Sequence, residues 1–307
     1  MSKDRFPTTT FESGGLRLRL VSPPSDLVPY VSGYYRTEVA DGVVVEDWLP
    51  PEEGNLRTGR ASTYLAAIGG EPLVEVPPAV LSGPTDRGTQ LRIGGGKFWG
   101  VGLSPAGWAR IIRKPASEMA NSFRDVWQTD TDPSLRSMLD RLREDGDDID
   151  ASAQLITETL RVLLGKRPPS ESTVHAVHLG IISPEMTGAA ELAAMAGLTP
   201  RTFERFCNRH FGFPPSALLR RQRFLRSLAR YMLDPTMRWI NSLDTHYWDQ
   251  AHFIRDFRAV MNMTPSEYGE RPHPIIGAAV QVTRASSGVA FQALYHPDQS
   301  RESETGL

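Results

Sequence analysis

Hydrophobic and polar positions follow two different periods in the two halves of the chain. Near the N-terminus the period is two. Leu16-Arg-Leu-Arg-Leu-Val21 alternates strictly, and Val43-Val-Val-Glu-Asp-Trp48 does so more loosely, the signature of half-buried strands. Dense punctuation by Pro23-Pro24, Pro50-Pro51, Gly69-Gly70, Pro77-Pro78 and Gly94-Gly95-Gly96 predicts short strands and turns from Gly15 to Val101. Phe98-Trp-Gly-Val-Gly-Leu103 reads as a last strand, and Ser104-Pro105 as the start of a helix over 106–113. A small sandwich or an open barrel is expected.

From residue 132 onward the apolar positions take helical spacing. Leu135, Met138, Leu139 and Leu142 form one stripe between Asp132 and Asp145, and Leu155, Ile156, Leu160 and Leu163 another between Asp150 and Leu164. These stripes suit either packing against the β-rich part or a dimer surface. Arg167-Pro-Pro-Ser170 reads as a linker, and a helix is expected from Glu171 to Ile182. The fold class is therefore α+β, a β-rich N-terminal domain with flanking helices followed by an all-α domain.

The all-α part contains a repeat. A short apolar helix ends at Gly197. Thr199 is placed to cap the next helix, with Pro200 at its first position and Gly212 as its stop. Helix, tight turn and second helix form a DNA-reading unit. Phe203, Arg205, Gly212 and Pro215 recur as Phe253, Arg255, Asn262 and Pro265, at one offset of about 50 residues. Gly and Asn are the residue types that best tolerate a left-handed helix end. Residues 216–233 should form one long joining helix, ended by Asp234-Pro235. Residues 236–245 and 249–261 supply the second unit, and Thr264-Pro-Ser-Glu267 is a capping box for one more helix. A strand over 278–283 and a mobile polar end complete the reading.

Composition narrows the function. The 307 residues suggest two domains, with no apolar run long enough to span a bilayer and no apolar signal core in Met1–Thr10. A single cysteine, Cys207, fits a reducing, cytoplasmic setting. Net charge is −2, so nucleic-acid affinity has to come from local charge. Arg220, Arg221, Arg223, Arg226 and Arg230 form such a run without an acid, either as a solvated helix face or as phosphate contacts.

Candidate chemistry elsewhere is thin. Lys97 is followed by Phe98 rather than Ser or Thr, which argues against a phosphate loop; Gly94–Gly96 should make a strand-edge turn. His175 and His178 lie three apart without a third ligand nearby, so no metal is expected. No cysteine precedes Cys207 and no histidine precedes His175, which leaves the β-rich part without alkyl-transfer or histidine-metal chemistry. No enzyme activity and no cofactor are expected. Trp48, Trp99 and Trp108 are candidates for lining a ligand pocket, against the commoner role of core aromatics.

On a helical wheel Phe203, Phe206, Cys207 and His210 share one side of the first reading helix, and Arg201, Glu204, Arg205 and Asn208 the other. Gln250, Ala251, Ile254, Arg255 and Arg258 face away from Phe253 and Phe257 on the second. Arg forks onto guanine, Glu accepts from cytosine, and Ile with Ala suits a thymine methyl.

The pattern Leu192-Ala193…Gly197-Leu-Thr-Pro-Arg-Thr-Phe-Glu-Arg-Phe206…Gly212-x-x-Pro215, then Trp239…Tyr247-Trp-Asp-Gln-Ala-His-Phe-Ile-Arg-Asp-Phe-Arg258…Met263-Thr-Pro-Ser-Glu-Tyr268, resembles the DNA-binding domain of AraC/XylS-type transcription regulators. The resemblance implies seven helices, with two reading helices in successive major grooves of double-stranded DNA. It implies base-reading roles for Arg201, Glu204, Arg205, Gln250, Ala251, Ile254 and Arg255, with Thr199, Arg209, Arg220, Arg221, Arg258 and Thr264 on the backbone. RNA polymerase, a homodimer partner and a small-molecule or protein effector are the further partners it brings, with no membrane. Domains are expected at 1–130 (regulatory), 131–169 (helical linker or dimer region), 170–271 (DNA-binding) and 272–307 (extension). His246 stands where the family has the turn glycine of the second unit, Asn241 and Ser242 replace apolar residues, and Cys207 takes a place usually held by Phe. The second unit is then expected to be looser and to dock on phosphate more than on bases.

Overall fold

The computed structural model describes residues 6–186, 188–234 and 239–287. The expected mobile end, and Pro235 to Arg238 at the start of the second unit, lie outside the described residues.

Among the described residues the period-two half forms one nine-stranded antiparallel sheet. Its strands are β1 (Thr8–Ser13), β2 (Leu16–Val21), β3 (Val31–Leu49), β4 (Gly54–Ala61), β5 (Tyr64–Ile68), β6 (Val74–Glu75), β7 (Ala79–Ser82), β8 (Thr89–Leu103) and β9 (Phe123–Asp125). The order is β1-β2-β3-β8-β4-β7-β9, with β5 beside β8 and β6 beside β5. β8 therefore pairs with three strands, and the described strands form one hydrogen-bonded sheet rather than two, its path ending at β1 and β9. Gly94–Gly96 do not form the expected turn. They lie inside β8, where the register with β3 shifts between Val39 and Val44 and the backbones of Ala61 and Asp41 come close. A side chain has no room there, which is why the strand needs glycine.

Alternation splits the sheet into two buried faces. Phe98 belongs to one apolar cluster and its neighbour Trp99 to another; Val80 and Leu81 divide in the same way. The Trp99 face is covered by the π-helical turn Trp108–Ile112, which continues α1 (Pro105–Gly107), and by α2 (Pro133–Asp145) and α3 (Ile149–Leu164). Asp132 and Asp148 cap α2 and α3 as acceptors for Ser134 and Ala151 amides. Leu135, Met138, Leu139, Leu142, Ile156, Leu160 and Leu163 are buried there, with Leu155 half-buried beside them, so both helical stripes pack against the β domain. The linker is bolted down as well. Buried Arg110 donates to the carbonyls of Leu164 and Gly165 and to the Tyr30 hydroxyl, and it pairs with the buried carboxylate of Glu171.

The helical half consists of α4 (Glu171–Ile182), α5 (Ala189–Met195), α6 (Pro200–Phe211), α7 (Pro215–Leu233), α8 (Trp239–Ser242), α9 (Gln250–Met261), α10 (Pro265–Gly269) and α11 (Pro274–Ser287). The segment 278–283, expected as a strand, is part of α11. Its β-branched Val280 and Val282 suggested a strand locally, but Ile276, Ala278, Val280, Val282 and Thr283 are all buried, on more than one side of a helix wedged between β1–β3 and α7. Tertiary burial overrides propensity there. Among the described residues no helix is long and apolar enough to cross a membrane.

Candidate nucleic-acid interface and interior cavity

The two reading units are built as the repeat requires. In the first, Gly197 turns the chain at φ +65°, Thr199 accepts from the Thr202 amide, and Gly212 ends α6 in the left-handed region at φ +87°. In the second, Asp249 accepts from the His252 amide at 2.6 Å and Asn262 ends α9 at φ +56°. Thr264 and Glu267 form the full capping box of α10.

Their inward faces are apolar and covered. Phe203, Cys207 and Phe211 of α6 are buried with Leu192, Leu218 and Val177 in a cluster that Ala106 of α1 joins. Burial pushes the Cys207 thiol up to about 12, so it stays protonated. Phe206 and His210 are only half-buried, less inward than the wheel suggested; burial and the neighbouring Arg209 hold His210 down at about 4. Phe253, Phe257, Val260 and Met261 of α9 are buried in the cluster that contains Leu18, Leu91 and Phe98 of the sheet.

The outward faces carry the expected polar residues. Arg201, Glu204, Arg205 and Arg209 are exposed on α6; Gln250, Ala251, Arg255 and Arg258 are exposed on α9. Ile254 departs from expectation, half-buried against the core beneath it. Thr199 is exposed at its cap, while Thr264 exchanges hydrogen bonds with Glu267.

Most of the arginine run on α7 is engaged within the protein. Arg221 is only 3% exposed and donates to the Thr85 carbonyl of the β domain. Arg220 is half-exposed, 3.8 Å from Asp86. Arg223 lies 3.7 Å from Asp256 and over the Tyr247 ring, and Arg226 grips buried Asp244 at 2.5 Å. Of the five, Arg230 alone is exposed, and it donates to the Leu243 carbonyl. The charges on α7 were visible in sequence; the acids that meet them from other elements were not.

His246 also departs from its expected role, since it is not among the left-handed residues. The second turn is made by Asp244 instead. Its carboxylate accepts from the His246 amide at 3.1 Å, lies 2.7 Å from His246 Nδ1, and is clamped by Arg226. Burial alone would raise the Asp244 carboxyl, but Arg226 and His246 more than offset it and hold it below its ordinary range. An Asx turn replaces the glycine. Ser242 is buried, donating to the Trp239 carbonyl, whereas Asn241 is exposed.

None of the three tryptophans lines the cavity that the sheet forms with α7 and α11. Trp99 and Trp108 are buried on the opposite face of the sheet, with indole N–H groups donating to the Gly146 and Lys114 carbonyls. Trp48 lies under the Arg271 guanidinium, 4.1 Å away. The cavity, of about 170 Å³, is walled instead by Leu18, Leu20, Leu91, Ile93 and Phe98 of the sheet, by Leu225 of α7, and by Ile276, Ala279 and Val282 of α11. Its polar lining includes Tyr35, Glu52, Asn55, Arg57 and Tyr64. Sequence reading missed these residues; the one signal was a charged Arg57 within an inward-facing strand register.

Histidine and carboxylate pairs join the two domains. His178 of α4 lies 2.9 Å from Glu53. His273 presents Nδ1 to Asp47 at 3.0 Å and Nε2 to the Tyr268 carbonyl at 2.8 Å. Neither His175 nor His178 belongs to a metal-like cluster; among the described residues no group of three such side chains occurs.

Residues 192–271 match the family model described as "Helix-turn-helix domain". The chain carries an AraC-type helix-turn-helix domain. That domain makes it a DNA-binding protein of transcription regulation. No curated protein matches the chain. Among solved structures, ToxT from Vibrio cholerae O395 is similar at 11% identity and TM-score 0.40, over 77% of this chain and 95% of that one. The AraC-like transcriptional activator CuxR is similar at 15% identity and TM-score 0.26, over 74% and 83%. Pac13, described as a nucleoside dehydratase, overlaps 33% of this chain and 82% of its own, at 12% identity and TM-score 0.24. At these scores none supports a statement about this chain.

Proposed function

We propose that the protein is a sequence-specific transcription regulator that lays α6 and α9 into successive major grooves, roughly 10 base pairs apart. Arg201, Glu204 and Arg205 read bases from the first unit. Gln250, Ala251 and Arg255 read them from the second, with the accessible part of Ile254 on a thymine methyl. Thr199, Arg209 and Arg258 take phosphates, with Arg220 reaching them from its loose contact to Asp86. The β domain modulates this through the interior cavity, which serves as the effector site.

The observation that carries the proposal is the matched exposure of Arg205 and Arg255 on two helices whose opposite faces are buried Phe203 and Phe253. A second unit that only docks on the backbone is the rival reading, favoured by half-buried Ile254. Arg205→Ala is expected to cost about 1–3 kcal/mol on the cognate site and to relax specificity there. A gel-shift titration against scrambled duplex at fixed salt checks this; equal loss on both sequences refutes base reading by α6. The same titration with Arg255→Ala decides between the two readings of α9.

A further inference from the structure

The cavity's charges are already matched within the protein. Arg57 is its buried cation. It donates to Glu52 at 2.6 Å and to the Ser82 hydroxyl at 3.1 Å, and burial, which opposes its charge, is outweighed by Glu52. Glu53 faces His178 across the domain boundary. The Tyr35 hydroxyl is committed to Asn55. A charged ligand would enter an apolar space with no free counter-charge, and burying an unpaired ion is costly. The Tyr64 hydroxyl differs from these groups. It lines the cavity, burial raises its pKa so that it keeps its proton, and no hydrogen-bond partner for it occurs among the described residues.

Size sets a second limit. An apolar cavity of roughly 150 Å³ accommodates benzene, and this one is about 170 Å³.

The third observation is the identity of the wall. α11 comes from the DNA-binding end of the chain but packs on β1, β2 and β3. Its first turn is capped in trans. Asp47 of β3, fully buried, accepts the Ile275 and Ile276 amides, each at 2.8 Å, and meets His273. A carboxylate at a helix N-terminus satisfies otherwise orphaned amides. His273 stacks on Tyr268 with ring centroids 3.9 Å apart, and Tyr268 packs edge-on against Phe257 of α9. Cavity wall, trans cap and second reading helix are therefore one continuous set of contacts.

Resting on the reading of this cavity as the effector site, we infer that it takes a compact, uncharged, mainly apolar molecule of about the size of a substituted benzene, carrying one hydrogen-bonding oxygen for Tyr64. Occupancy is felt through α11, whose Ile276, Ala279 and Val282 the ligand touches. α11 passes the change to α9 through His273 and Tyr268.

The test uses the full chain and three probes of matched shape: benzyl alcohol, benzoate and benzylammonium. Benzyl alcohol is expected to bind at least tenfold more tightly than either ion in ligand-observed NMR titrations. Tyr64→Phe should weaken benzyl alcohol about fivefold, the loss of one neutral hydrogen bond, and leave toluene unchanged. Ala279→Trp, or Leu18→Phe if that variant does not fold, should abolish binding by filling the space. Bound benzyl alcohol should slow amide exchange in α11 before any other element. Tighter binding of benzoate overturns the uncharged class while leaving the site in place. Binding that survives both cavity-filling variants overturns the site itself. Unchanged exchange in α11 on saturation overturns its part in the coupling.

Discussion

The two helix-turn-helix units share a plan and differ in what they are built into. The first packs Phe203, Cys207 and Phe211 in a cluster with α4, α5 and Ala106 of α1, and turns on a glycine. The second shares its core with the β domain. Phe253, Phe257 and Met261 sit in one cluster with Leu18 and Leu91, and the Gly88 amide donates to the Val260 carbonyl at 2.7 Å. Its turn depends on a buried ionic clamp rather than on backbone freedom. Duplication supplied two reading helices, and only the second shares its hydrophobic cluster with the walls of the cavity. Regulation should therefore act on α9, with α6 as the constant contact.

The largest effects should separate the two cores. Phe203→Ala and Phe257→Ala each remove a fully buried ring and should cost about 3–5 kcal/mol. Hydrogen exchange should show Phe257→Ala loosening β8 and α11, and Phe203→Ala leaving both protected. Equal protection of β8 in the two variants would mean that the shared core does not couple the domains.

The turns come next. Asp244→Asn leaves Arg226 buried without its counter-ion and should cost about 3 kcal/mol, confined to the second unit. The same clamp has an acid limit. Because the Asp244 carboxyl is held below its ordinary value, its contribution is complete above about pH 4 and is lost as pH falls through the lowered value. Exchange protection in α9 should therefore fall before that in α6 on acidification; the reverse order would remove the clamp from the account. A smaller effect is expected at the helix ends. Gly212→Ala places a methyl in left-handed backbone, 2.7 Å from the Pro84 ring, and should cost about 1 kcal/mol or more. Asn262→Gly should change the urea midpoint by only a few tenths of a kcal/mol equivalent.

The same contrast explains what could be read in the sequence. Caps and stops are local, so Thr199, Gly212, Asn262 and the Thr264–Glu267 box were legible from their neighbours alone. The outward polar faces of α6 and α9 followed from helical periodicity. Three features depended on distant partners. Arg221 looked like a phosphate ligand because Thr85, which it meets, is 136 positions away. Residues 278–283 looked like a strand because nothing local reveals that they are enclosed on several sides. Trp99 and Trp108 lie on the sheet face away from the cavity at α11; alternation tells two faces apart without telling which one meets that helix.

Selection of bound duplexes from a random pool, with the wild-type chain and with Arg205→Ala and Arg255→Ala, tests the central claim most directly. The account predicts one recovered site with two information-rich blocks about one helical turn apart, each variant losing the block its own helix reads. Recovery of duplexes without any common sequence, by a folded chain with salt-dependent affinity, would contradict it.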